Sequence, residues 1–164
     1  MNEFEKMTES ESRRNRANSR EGRELSAEQK EKQSEAAEKK LAARERIEAT
    51  SKEIKTTKNQ IQNIVANMSQ VIKAVAAIRA QLGLTGAAGS IPSVTSDEKT
   101  LAALKNKLAG LYGEIKDLQG ALLAEELKSV AEEIPSLSAE AIEQEAKRRV
   151  AAVLKQLGVA EDHQ

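Results

Sequence analysis

Ile47, Ile54, Ile61, Met68, Val75 and Leu82 stand seven residues apart, and Thr50, Thr57, Ile64, Val71 and Ile78 each follow three residues after the first five of them. A repeat of seven holds one stripe of a helix against neighbouring helices, so these residues take the a and d positions of a heptad pattern. No other feature of the chain narrows its fold as much. Val65 and Ile72 fall at e positions, and a stripe widened in that way calls for more than one neighbour. Thr50 and Thr57 insert polar layers that loosen the first part of the seam.

The same region contains the most apolar run of the chain, residues 61–78, "IQNIVANMSQVIKAVAAI". Gln62, Asn63, Asn67, Gln70 and Lys73 interrupt it, whereas a bilayer-spanning helix needs about 20 predominantly apolar residues. No membrane span is expected. Surface attachment is also disfavoured, because the run has no aromatic anchor and Lys73 is its one basic group.

A second helix follows a connection rich in Gly and Ser. "GLTGAAGSIPSVTS" carries Gly83, Gly86, Gly89 and Pro92, residues that end helices and make turns. Thr95 and Glu98 have the spacing of a capping box, which places the next helix start near residue 97. Leu101, Leu104, Leu108, Leu111, Ile115, Leu118 and Leu122 then recur in steps of three and four, and Pro135 closes the segment. A connection of this length lets the second helix fold back on the first, so that the two apolar stripes face each other in a hairpin.

A third, shorter helix is expected from Ser138, its N-cap, to Gly158, its C-terminal stop. Ile142, Ala146, Val150, Val153, Leu154 and Leu157 form its apolar face. Gly110, Gly113 and Gly120 lie on the second helix away from the Leu stripe, and each costs about 1 kcal/mol against Ala inside a helix. Their presence is explained if the third helix approaches the backbone there.

The organisation expected is therefore an arm at residues 1–24, a long coiled-coil helix at 25–83, a loop at 84–96, a second helix at 97–134, a third at 138–158 and a tail at 159–164. Ser26 and Gln29 supply a capping box for the first helix. The arm lacks an apolar period and has little surface to offset the entropy of ordering, so disorder is expected of it. Composition agrees with an all-α fold, an elongated helical hairpin or coiled coil with a short third helix. Charged residues make up 32% of the chain, Phe4 and Tyr112 are its two aromatics, and Cys and Trp are missing. That is the make-up of long helices and not of an aromatic-filled core.

Candidate chemistry is sparse. "GLTGAAGS" resembles a phosphate-cradling loop, but it follows a helix and lacks the P-loop Lys. His163 is the single His and stands next to the last residue, where no walls surround it. Glu140, Glu143 and Glu145 suit a helix N-terminus better than a metal site, having no His or Cys beside them. No cofactor, metal or catalytic residue is expected.

Arg13, Arg14, Arg16, Arg20 and Arg23 could meet nucleic-acid phosphates. However, six acidic groups balance six basic ones over residues 1–24, and no aromatic offers stacking. Lys plus Arg and Asp plus Glu both number 26 in the whole chain. Net charge therefore points to no partner, although the charge distribution is uneven. Residues 97–164 hold 13 acidic groups against 9 basic ones, a net of −4.

The functional expectation is a non-enzymatic structural or assembly protein that displays arms from a coiled-coil oligomer. A trimer or tetramer is placed ahead of an antiparallel dimer, because Ile and Val at both a and d favour higher forms. By analogy of composition alone, this is the general build of helical scaffolding and minor virion proteins. The alternatives are a nucleic-acid-binding accessory protein that uses the Arg arm and a non-catalytic regulatory subunit of an enzyme. The N-terminus lacks the basic and apolar character of an export signal, so an intracellular or virion location is expected.

Overall fold

The structure is a computed structural model and describes residues 26–159, which form three α-helices and no strand. These are α1 (Ala27–Gln81), α2 (Pro92–Glu133) and α3 (Ala139–Gln156). The chain divides into two compact units, residues 1–39 and residues 40–164. Within the first unit, the described residues are Ser26 and the opening turns of α1. The Ser26 N–H donates to Gln29 Oε1 at 3.1 Å and the Gln29 N–H donates to Ser26 Oγ at 3.2 Å. This reciprocal capping box satisfies two donors that the helix start would otherwise leave unpaired. Exposed pairs Glu28–Lys32 and Glu35–Lys39, each four residues apart, line the same stretch. Such pairs support a helix that has almost no apolar face.

In the second unit, α1 and α2 run antiparallel. Lys40 pairs with Glu126, Arg46 with Glu114 and Glu53 with Lys107, so partners descend along α2 as they ascend along α1. The turn between them is set by backbone bonds at the end of α1. Gly83 takes φ +66°, the left-handed conformation open to a residue without Cβ. The Leu84 N–H donates to Arg79 O and the Gly83 N–H to Ala80 O, which gives a Schellman stop.

The next helix starts earlier than the sequence predicts. Ile91 is the N-cap of α2 in extended conformation, and Pro92 opens the helix where its missing N–H is no loss. Thr95 is not a cap. Its hydroxyl donates to Ile91 O at 3.3 Å, within the first turn. Proline's fixed φ decides the boundary here over the capping-box spacing.

The core lies where α3 joins the pair. Ile47 and Ile54 of α1, Leu111, Ile115 and Leu122 of α2 and Val150 and Val153 of α3 form one buried cluster, with Leu108, Tyr112, Leu118 and Leu154 against it. Each fully buried aliphatic side chain contributes about 1.5–3 kcal/mol. The ends of α3 are sealed by local bonds. The Ala141 N–H donates to Ser138 Oγ at 3.3 Å. At the other end Gly158 has φ +66°, and the Val159 N–H reaches back to Leu154 O at 3.0 Å. That Schellman turn folds Val159 into the core.

The glycines of α2 do not serve the docking of α3. A Cβ built at Gly110, Gly113 or Gly120 would meet nothing within 4 Å. Instead α3 packs on the Leu-rich side of α2, because Leu111, Ile115 and Leu122 provide far more apolar area than a face of Gly and Ala.

Candidate interaction surface

No group of three or more His, Asp or Glu among the described residues could hold a metal ion. Glu143 and Glu145 are instead paired along their own helix, with Lys147 at 2.6 Å and with Arg148 at 2.7 Å. No helix among the described residues is long and apolar enough to cross a membrane. His163 and Arg13, Arg14, Arg16, Arg20 and Arg23 lie outside the described residues.

The heptad residues separate into two groups. Ile47, Thr50, Ile54 and Thr57 are buried within the chain itself. Ile61, Ile64, Met68, Val71 and Val75 are only partly buried, and so are Leu101, Leu104 and Leu108 opposite them. Leu111, Ile115 and Leu122 are buried and Leu118 partly so. Ile78 and Leu82 are exposed, by 55% and 68%. The seam is thus closed near α3 as far as Thr57 and loosens from Ile61 toward the tip of the hairpin; the stem is the part of the hairpin beyond the Glu53–Lys107 bridge.

The row of e positions records the same change. Ser51 is 9% exposed beside the three-helix core, whereas Val65 and Ile72, one and two heptads beyond Lys58 on the same row, are each 48% exposed. Lys58 and Arg79 bracket that apolar pair. Lys58 is held over the ring of Tyr112 at 5.5 Å, and Arg79 donates from Nη2 to Gly86 O at 3.1 Å. At the tip, a groove of about 310 Å³ is lined by Ile72, Val75, Arg79, Leu84, Gly86 and Ile91.

Charge distinguishes the stem as well. No Asp or Glu occurs from residue 54 to residue 96. Residues 54–106 hold six cations (Lys55, Lys58, Lys73, Arg79, Lys99 and Lys105) against Asp97 and Glu98, a net of +4. An even whole-chain balance hides this excess, and a windowed charge count would have found it.

The three-helix end is organised by a different device. Glu126 of α2, 4% exposed, accepts Lys40 of α1 at 3.1 Å and faces Arg149 of α3 at 3.8 Å. Lys40 Nζ also donates to Ser129 Oγ at 2.6 Å. Arg149 reaches Glu133 at 2.8 Å and Glu145 at 3.0 Å. Hydrogen bonds from Arg148 and Arg149 hold the Glu145 carboxyl down at about 2, and the Arg149 bond holds Glu133 below the usual carboxylate range. One buried carboxylate thereby ties all three helices together. Heptad reading missed it because Glu126 lies past the last Leu of the stripe.

The surface so formed is an apolar row about half open to water, bracketed by cations, on a hairpin anchored at its other end. Compared with known proteins, the chain matches no family model, and neither a curated protein nor a solved structure gives a match.

Proposed function

We propose that this is a non-enzymatic assembly protein that self-associates through its stem. Two stems laid face to face would close a four-helix coiled coil, with Val65 and Ile72 of each copy covered by the other. The observation that carries the reading is the change along one helix face, from Ser51 at 9% exposure to Val65 and Ile72 at 48%. An apolar row of this kind gains about 25 cal/mol for each Å² it removes from water. Ile47 and Ile54 are used inside the chain, and this favours pairing of stems over a trimer or tetramer along the whole stripe.

Light scattering on the full chain tests this. The expected mass is twice that of one chain. It should return to that of one chain in the Val65→Asn, Ile72→Asn double variant, with circular dichroism still helical because both positions are half exposed already. A full chain that stays at the mass of one copy at every concentration rules the proposal out.

A further inference from the structure

We propose that the stem also takes an acidic amphipathic helix of another protein, laid along α1 from Lys58 to Arg79 in competition with the second copy. The inference rests on reading the stem as a docking face, and it adds the chemistry of the occupant.

The place for such a helix is defined by what happens at the other end of the hairpin. There α3 lies on α1 and α2 as a third helix and contributes Val150 and Val153 to their shared cluster. Along the stem no third helix is present among the described residues, and Val65 and Ile72 remain half open. From Lys58 to Arg79 is 21 residues by number. At 1.5 Å per residue the row is about 32 Å long, or roughly six helical turns.

Charge chooses the occupant. Two copies of the stem bring +4 to face +4, and that repulsion works against their apolar contact. An acidic helix meets the same cations with the opposite sign. Its apolar residues would cover Val65 and Ile72, its carboxylates would meet Lys58 and Arg79 at the ends of the row, and one side chain would enter the groove at Ile72, Leu84 and Ile91. An anionic lipid surface fits less well, because residues 54–106 contain no aromatic anchor and the apolar row between Lys58 and Arg79 holds only Val65 and Ile72.

The test uses the full chain and three probes: a designed amphipathic peptide helix with Leu on one face and Glu on the other, its counterpart with Lys in place of Glu, and phosphatidylserine vesicles. Binding is read by fluorescence anisotropy of labelled peptide and by vesicle sedimentation. The Glu peptide should bind at least about tenfold tighter than the Lys peptide at low salt, with the margin shrinking as salt is added. Reversal of charge with Lys58→Glu and Arg79→Glu should invert that preference, and Ile72→Asn should weaken both peptides.

Equal affinity for the two peptides, absence of peptide binding, or binding of vesicles in place of the Glu peptide each overturns the inference. Mass measured on the same samples separates it from self-association. A chain that pairs but ignores the Glu peptide sinks this inference alone, and a chain that stays single yet binds the Glu peptide sinks the pairing alone. Where both hold, added salt should strengthen pairing while it weakens peptide binding.

Discussion

Ile54 and Ile61 are one heptad apart on α1, occupy the same a position and present the same side chain, yet Ile54 is buried and Ile61 only partly so. The difference lies in what surrounds them. Ile54 belongs to a cluster to which α2 and α3 both contribute, while Ile61, outside that cluster, faces the α2 stripe alone among the described residues. A heptad stripe therefore states which face of a helix wants cover without stating how many helices supply it. Burial follows the number of layers, and stability should follow burial.

That contrast can be broken most sharply by truncation. Leu122→Ala, at 0% exposure in the three-helix core, should cost about 2–5 kcal/mol, since a cavity is left along with the lost transfer energy. Ile72→Ala in the stem should cost about 1 kcal/mol or less, because half of that side chain already meets water. Urea midpoints of the two variants at low protein concentration measure both. Equal losses would show that the stem is as closely packed as the core.

Next in size is the carboxylate that joins the helices. Glu126→Ala leaves Lys40 and Arg149 without their shared partner. The expected loss is about 2 kcal/mol, under the ~3–5 for a fully buried pair, because those side chains keep 17% and 28% exposure. Glu126→Met combined with Lys40→Met should recover most of it. A double-mutant cycle by chemical denaturation gives the coupling, and a coupling near zero would reduce the cluster to surface decoration.

A smaller effect, of opposite sign, comes from α2. Gly113→Ala should raise stability by about 1 kcal/mol, since the added Cβ meets nothing within 4 Å. The melting temperature should rise. A fall would show that another surface covers Gly113 in solution.

Gly113 also marks the limit of what could be read in advance. Helix identity and most ends were legible, because Ser26, Ser138 and Gly158 act through bonds within a few residues of themselves. The start of α2 was misplaced, since the Thr95 and Glu98 spacing matches a cap that Pro92 pre-empts. The face of α2 that receives α3 was misread because three glycines suggest close approach, while the energy of docking comes from Leu111, Ile115 and Leu122. Of the interaction surface, Val65 and Ile72 stood out by heptad position alone. Their half-exposed state depends on where α3 ends, which is a tertiary fact and has no local signature.

The smallest expected effect sharpens the contrast from the side of charge. Glu145 and Glu133 have their carboxyls lowered by hydrogen bonds from Arg148 and Arg149 and from Arg149 respectively, Glu145 to about 2. A carboxylate whose folded value lies below its ordinary 4.5 stabilises the fold fully above that ordinary value and loses the contribution as pH falls through the folded one. Acid between pH 4.5 and about 2 should therefore loosen the packing of α3 by a small, salt-sensitive amount, because these groups face water and are screened. The stem, residues 54–106, carries two carboxylates, Asp97 and Glu98, and neither joins α3 to the other helices. Denaturant should open the stem first, while acid should weaken the three-helix end first. Amide hydrogen exchange followed at pH 5 and pH 3 reads the order directly, with protection at Val150 and Val153 falling more than protection at Ile64 and Val71. If the stem loses more protection than α3 on acidification, the Arg149 cluster does not hold the third helix in place.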